Sequence, residues 1–182
     1  MKKAIIVSAV LFCTIFSVQA QKYLTKEGVI DIYSETSLFV IEAKNQKVAS
    51  ILNAENGEIV ASTLTRSFKF KEALVEEHFN ENYMESHLYP KAQFKGRIIN
   101  FSQINTSKDG TYNIQIQGDL TLHGETHPLK TEGKLSVKSG SIIASTEFLV
   151  SLEQYKIKVE EQYKDRINDQ IKLTVHFDLK PM

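Results

Sequence analysis

The central part of the chain, residues 93–152, alternates between apolar and polar side chains with a period of two. This alternation is typical of antiparallel strands that turn one face to a core and the other to water. Pairs of residues that tolerate a positive φ interrupt the pattern and predict tight turns. These pairs are Asp109-Gly110, His123-Gly124 and Ser139-Gly140. The pattern therefore predicts a curved antiparallel sheet with a continuous apolar inner wall.

Shorter segments of the same kind flank this central part. We predict strands at residues 28–33, 38–43, 48–52, 59–68 and 171–179. Residues 71–80 place good helix formers at helical spacing and predict one short amphipathic helix. A change of apolar phase near Ile98 and Ile99 predicts a β-bulge. Residues 153–169 are charged and carry few apolar side chains, so we predict a long exposed connection there.

The number of strands favours a closed sheet. Eight or nine strands and one helix can be counted, and closure removes the exposed edges that an open sheet would leave. The predicted fold class is all-β, a single antiparallel barrel of about eight strands with one short helix in a connection. No linker or repeat divides residues 21–182, which we predict to form one domain. A barrel of this size is either filled by its own side chains or holds one slender ligand.

The first 20 residues have the features of a cleaved signal peptide. Lys2 and Lys3 precede an apolar stretch too short to span a bilayer comfortably, and Val18 and Ala20 supply small residues for cleavage. We therefore expect a periplasmic or secreted protein that begins near residue 21. The single cysteine, Cys13, would be removed with this segment, so no disulfide is expected.

Charge and hydropathy argue against two classes of partner. The chain has 22 basic and 22 acidic residues and no basic stripe, which argues against nucleic acid. After residue 20 no apolar run is long enough to cross a bilayer, which argues against stable membrane insertion. The sequence leaves open whether the chain forms a homodimer.

Two groups of residues invite a metal hypothesis. His123, Glu125 and His127 are spaced as His-Gly-Glu-Thr-His within a predicted hairpin, whereas a zinc protease needs His-Glu-x-x-His on a helix. This spacing favours a turn with polar tips. Acidic and histidine side chains around the predicted helix favour a solvated face, with a gate at the barrel mouth or a cation site as alternatives. They are Glu76, Glu77, His78, Glu81, Glu85 and His87.

No pattern in the chain meets the requirements of an enzyme. The sequence lacks the Gly-x-Ser-x-Gly elbow, the phosphate-binding loop and the dinucleotide fingerprint. We therefore predict no catalytic residue, no cofactor and no metal.

Three segments resemble the YceI-like family of exported bacterial proteins. They read NENYMES at residues 80–86, YPKAQFKG at residues 89–96 and GDLTLHGETHPL at residues 118–129. The last is similar to the strand–turn–strand signature of the family, and the order of segments matches over residues 28–179. The resemblance implies an extended, lipocalin-like barrel. It also implies a long polyisoprenoid chain as the ligand inside.

Inward-pointing apolar side chains are the candidate ligand contacts, since a long apolar chain is held by buried apolar area at about 25 cal/mol per Å². The alternative is that these side chains only fill a core. The predicted ligand-binding residues are Phe68, Phe94, Ile98, Ile114, Ile116, Leu120, Leu135, Phe148, Val150, Leu173, Val175 and Phe177.

The first hypothesis is a non-enzymatic carrier of a long, apolar, isoprenoid-type lipid. Candidate contacts to a phosphate head group are Lys69, Lys71, His87 and Arg97. The second hypothesis is a stress-response or interaction protein with a solid barrel and a partner site on its surface. A third, an enzyme acting on a lipid or quinone precursor, would need a polar group deep inside the barrel.

Overall fold

The computed structural model describes residues 22–182. The predicted signal peptide, residues 1–20, lies outside them. The described chain contains nine strands and one α-helix. They are β1 (Lys22–Glu35), β2 (Val40–Asn53), β3 (Glu58–Leu64), β4 (Lys69–Phe70), α1 (Ala73–His78), β5 (Lys91–Ile98), β6 (Gly110–Leu122), β7 (Glu125–Lys138), β8 (Ser141–Ser151) and β9 (Gln170–Pro181).

Eight of these strands close into an antiparallel barrel. The order is β1-β9-β8-β7-β6-β5-β3-β2, and β1 also pairs with β2. The two-residue strand β4 pairs with β2 at Ala43 and Lys44. Helix α1 lies between β4 and β5 and continues into one π-helical turn, Phe79–Tyr83. The predicted fold class and the helix in its connection are therefore confirmed.

Two of the three predicted tight turns are present. His123 and Gly124 have φ values of 49° and 76°, and Ser139 and Gly140 have 49° and 80°. Each pair is a two-residue hairpin loop whose positive φ values match the twist of the strands. The turn predicted at Asp109-Gly110 is wrong, because residues 99–109 form a longer connection and Gly110 already belongs to β6. The Asp109 carboxylate instead accepts a hydrogen bond from the Ser139 N–H at 2.9 Å.

Strands β1 and β2 are longer than predicted, whereas the strand predicted at residues 59–68 ends at Leu64, where a 3-10 turn, Thr65–Ser67, begins. Residues 40–43 and 48–52, predicted as parts of two strands, belong to one strand, β2, and residues 38 and 39 lie in the turn before it. Asn45 of β2 is buried, and its amide group donates a hydrogen bond to the Thr63 hydroxyl at 2.9 Å. This buried hydrogen bond satisfies a polar group inside the barrel wall, which alternation alone does not reveal.

The predicted bulge near Ile98 and Ile99 is also wrong. Strand β5 pairs with β6 without a shift from Gln93 to Ile98 and then ends. The change of apolar phase in the sequence therefore marks the end of β5 at Ile98. Register shifts occur instead in β1, between Thr25 and Ile30.

The two ends of the barrel differ. At one end, called the closed end, Tyr23, Leu52, Leu135 and Leu179 pack into a core together with Phe101 from the β5–β6 connection. At the other end, called the mouth, lie the β1–β2 hairpin, α1 and the connection between β8 and β9.

The β8–β9 connection was predicted to be exposed, and this is wrong for its first half. Tyr155 and Ile157 are buried against Met84, Leu120 and Val150. Two apolar side chains among charged neighbours give too little periodicity to be recognised in the sequence. The segment therefore closes part of the mouth.

Candidate functional site: an apolar cavity inside the barrel

A cavity of about 220 Å³ lies inside the barrel, between the closed-end core and the mouth. Its wall includes side chains from β1, β2, β3, β5, β6, β7, β8 and β9, as well as α1 and the mouth connections. An apolar cavity of about 150 Å³ in another protein stays dry and takes up small apolar molecules. The dimensions and lining of this cavity therefore suit an apolar guest.

The structure brings eleven of the twelve predicted ligand contacts together around this cavity. They are Phe68, Phe94, Ile98, Ile114, Ile116, Leu120, Phe148, Val150, Leu173, Val175 and Phe177. Leu135 does not line the cavity, because it lies near the far end of β7 and is fully buried in the closed-end core. The prediction that Leu135 points inward was right, but strand alternation does not show how far along the barrel axis a residue lies.

Several lining residues were missed by the sequence analysis. Ile30 and Ile32 of β1 share one phase of the strand and could have been found by extending the alternation rule. Further missed lining residues lie on other strands, and a last group comes from α1 and the mouth connections, where alternation gives no signal. This last group includes Val75, Phe79, Met84, Ile157 and Ile167.

Two glycines leave room for an aromatic ring on the cavity wall. Gly96 of β5 and Gly118 of β6 are register partners. A Cβ atom on Gly96 would lie 2.6 Å from the Phe94 ring, and one on Gly118 would lie 2.7 Å from it. Both distances are too short for real contacts, so the ring rests on bare backbone. A side chain at either glycine would therefore force the Phe94 ring to move.

The cavity wall carries no charged side chain among the described residues. Its polar members are hydroxyl and amide residues, and two of them, Thr131 and Thr146, lie 3.1 Å apart and hydrogen-bond each other. Tyr83 lies on the wall towards the mouth, and burial, with Glu160 and Tyr163 nearby, raises the pKa of its phenol. This phenol stays neutral at physiological pH. A charged group entering the cavity would lose its hydration without gaining a counter-charge.

Aromatic and cationic side chains connect three parts of the mouth. The Arg166 guanidinium lies 5.1 Å from the Phe39 ring of the β1–β2 hairpin and 5.9 Å from the Tyr163 ring. Tyr163 in turn lies 6.3 Å from the His78 ring of α1. Cation–π contacts of this kind stabilise exposed sites by roughly 0.5–1 kcal/mol each. The hairpin, the β8–β9 connection and the helix therefore meet at the mouth through weak contacts.

His123 forms a stronger connection on the other side of the mouth. Its Nδ1 donates a hydrogen bond to the Tyr155 carbonyl oxygen at 3.1 Å, and its Nε2 lies 2.8 Å from the Glu85 carboxylate. The imidazole is buried, and the Tyr89 ring packs against it at 4.5 Å. The predicted turn at His123 is present, but this side chain is not an exposed polar tip. The His123 side chain joins the β6–β7 hairpin to the β8–β9 connection through Tyr155 and to the segment after α1 through Glu85.

Three of the acidic side chains considered as metal ligands pair with basic side chains instead. Glu76 pairs with Lys69, Glu81 with Arg66 and Glu85 with His123. Within residues 22–182, no three histidine, cysteine or acidic side chains are grouped so that they could hold a metal ion.

The four suggested head-group contacts do not share one location. Lys69 and Lys71 lie beside α1 and His87 is exposed in the connection that follows it. Arg97 lies near the closed-end terminus of β5, where its guanidinium is 3.9 Å from Glu58. The hypothesis that Arg97 meets a head group at the mouth is therefore wrong.

An eight-stranded antiparallel barrel around an apolar cavity defines the architectural class of lipocalin-like barrels. The family model for the YceI-like domain matches residues 16–179, so the chain belongs to the YceI-like family. The resemblance seen in the sequence is confirmed.

Solved structures show the same fold at low sequence identity. A polyisoprenoid-binding domain from Saccharophagus degradans is 11% identical and has a TM-score of 0.78, with 90% of this chain and 100% of that chain covered. BcnA from Burkholderia cenocepacia is 12% identical with a TM-score of 0.68, covering 84% and 94%. A YceI protein from Campylobacter jejuni is 12% identical with a TM-score of 0.53, covering 98% and 97%.

No curated protein matches the chain at a significant level. In the part of the chain that the structure describes, no helix is long and apolar enough to cross a bilayer.

Proposed function

We propose that the protein is an exported, non-enzymatic binding protein that holds the apolar chain of an isoprenoid-type lipid inside its barrel. The cavity carries this proposal, because its wall is apolar and free of charged side chains in the described residues. The Saccharophagus degradans domain is described as polyisoprenoid-binding, which supports the same class of ligand here. An unbranched or methyl-branched hydrocarbon chain needs no polar partner, so the wall suits it.

The cavity size sets how the ligand would be held. Pockets for drug-sized ligands usually have about 300–1,000 Å³, whereas this cavity has about 220 Å³. A long polyprenyl chain would therefore place only part of its length inside, unless side chains at the mouth move. Its polar head would remain outside, in contact with water.

The two other hypotheses have less support. The hypothesis of a solid barrel has less support because a cavity lies between the closed-end core and the mouth. An enzyme would need a poised acid, base or nucleophile in the cavity. Tyr83 is the titratable lining residue with a shifted pKa, and the upward shift keeps it neutral.

The test is to identify and count the bound lipid. The protein is purified from its native host, extracted with organic solvent and analysed by mass spectrometry. We expect a polyprenyl species close to one per protein molecule. A clean extract from folded protein would contradict the proposal.

A pair of matched variants locates the lipid. Ala92→Phe adds a ring to the cavity wall, whereas Ala49→Phe adds the same ring to the outer face of β2. We expect Ala92→Phe to lower the lipid content several-fold and Ala49→Phe to leave it unchanged. Circular dichroism verifies that both variants are folded. Equal lipid content in the two variants would place the ligand outside the cavity.

A further inference from the structure

We propose that the tip of the β1–β2 hairpin docks the barrel on the surface of a lipid bilayer, so that lipid passes directly between the bilayer and the cavity. The docking surface consists of Leu38, Phe39 and Val40, here called the apolar tip. The inference rests on the proposed function and adds the partner from which the ligand comes.

The apolar tip is unusual because three consecutive apolar side chains face water. Leu38 is 65% exposed, Phe39 49% and Val40 54%. Single exposed apolar residues are normal on a protein surface, but a contiguous group usually marks a binding surface. The tip is also well ordered by hydrogen bonds. The Thr36 hydroxyl accepts hydrogen bonds from the Leu38 N–H at 3.3 Å and from the Phe39 N–H at 3.1 Å.

The apolar tip continues the wall of the cavity. Ile41 follows it directly and lines the cavity, as does its register partner Ser34. A further exposed apolar residue, Leu74 at 61%, lies on α1 beside Val75, which also lines the cavity. An isoprenoid chain leaving a bilayer at this edge of the mouth would reach the cavity without crossing water. Such a path avoids about 25 cal/mol for each Å² of apolar surface that water would otherwise contact.

A bilayer fits this surface better than a second copy of the chain. A stable protein interface buries roughly 800 Å² on each partner, and three half-exposed side chains fall well short of that area. A cation also lies beside the tip, since the Arg166 guanidinium is 5.1 Å from the Phe39 ring. With the tip in the outer hydrocarbon layer, this guanidinium would lie at the level of the phosphates, to which it can donate paired hydrogen bonds.

Charge around the tip predicts which force dominates docking. Residues 36–40 carry no charge, and the acidic residues Glu35 and Glu42 flank them. We therefore expect binding to neutral phosphatidylcholine vesicles that changes less than two-fold between 0.05 and 0.5 M salt. Docking through a basic patch would instead weaken steeply with salt.

The test is vesicle flotation with the protein as purified from its host, its N-terminus established by mass spectrometry. The tip variant is Leu38→Asp with Val40→Asp, which leaves Phe39 in contact with Arg166. The matched control is Ile99→Asp, since Ile99 is 49% exposed and lies at the closed end. We expect the tip variant to lower the partition coefficient at least ten-fold and the control to leave it within two-fold of the wild type.

Three results would overturn the inference: no flotation of the wild type, equal flotation of the tip variant, or an equal loss in the control. Lipid extraction from the same samples distinguishes a failure of membrane docking from a failure of lipid binding. Bound lipid in a protein that does not float would leave the carrier function intact and remove the docking surface. Flotation through the tip without bound lipid would leave the docking surface intact and contradict the carrier function.

Discussion

The closed end and the mouth use the same strands but bury apolar side chains differently. At the closed end, Leu52, Leu135, Ile142 and Leu179 are fully buried, and Phe101 from the β5–β6 connection packs among them. At the mouth, two long connections, residues 65–90 and 152–169, lie around the opening, and the lining side chains face a cavity. The difference shows that strand alternation determines which residues point inward, whereas the connections determine whether the interior is filled.

The difference in packing between the two ends affects the free energy of folding. Side-chain atoms that line the cavity have fewer protein packing partners than atoms in the closed-end core. A protein that needed only stability would gain by filling this space. The cavity is therefore a cost to folding that a bound apolar chain would offset.

The largest effect is expected from truncation at the closed end. Leu135→Ala should lower the free energy of unfolding by about 3 kcal/mol, because it removes a fully buried side chain from a filled core. Urea unfolding of the lipid-free protein measures this value. Lipid binding should persist under conditions in which the variant is folded.

Ile116→Ala is the matched truncation on the cavity wall. Ile116 already faces open space, so we expect a loss of only about 1 kcal/mol in the lipid-free protein. Its larger consequence should be weaker lipid retention, measured by extraction. Equal destabilisation by the two truncations would mean that the cavity wall and the closed-end core are packed alike.

An intermediate effect is expected at His123, which joins three segments of the mouth. His123→Asn should lower the free energy of unfolding by about 2 kcal/mol, because Glu85 and the Tyr155 carbonyl lose a buried hydrogen-bond partner. Asparagine tolerates the positive φ of this position, so the turn itself is preserved. Urea unfolding measures this loss in the free energy of unfolding. The control is Ser139→Asn, at the corresponding turn position of the closed end, which should change stability by less than about 0.5 kcal/mol.

The smallest effect concerns Glu125 and Lys156, which link β7 to the β8–β9 connection at 2.8 Å. The hydrogen bond from Lys156 lowers the pKa of Glu125, and the same bond raises the pKa of Lys156. The Glu125 contribution is therefore complete above the ordinary carboxyl pKa and is lost as the pH falls through its lowered value. The Lys156 contribution is complete below the ordinary amine pKa and is lost as the pH rises through its raised value.

Hydrogen exchange at residues 152–157 measures this link. At neutral pH, Glu125→Gln should increase exchange there, after correction for intrinsic rates. The difference from the wild type should disappear as the pH falls through the Glu125 pKa. Glu147→Gln, which removes a carboxylate 3.7 Å from Lys172 on the barrel wall, should leave the exchange of these residues unchanged. A difference that persists in acid would assign the effect to something other than the ion pair.

The sequence predicted the barrel because period-two alternation is a property of each strand taken alone. It located Ile116 and Phe148 on the cavity wall for the same reason. Leu135 was misplaced because depth along the barrel depends on which connection packs beneath it. The roles of Tyr155, Ile157 and His123 depend on contacts between segments more than 30 residues apart, since 32 and 38 residues separate His123 from its two partners. Local patterns do not encode such contacts.

The pairing of β1 with β9 sets an order of events for the protein. Tyr23 lies opposite Pro181, and the Met182 N–H donates to the Lys22 carbonyl oxygen at 2.9 Å. Both strands contribute to the cavity wall, so the cavity comes into existence only after the last strand has been synthesised and has found the first. Such distant pairing is slow compared with hairpin formation. If the protein binds a lipid as proposed, binding would have to follow this pairing, because an unclosed sheet has no enclosed cavity.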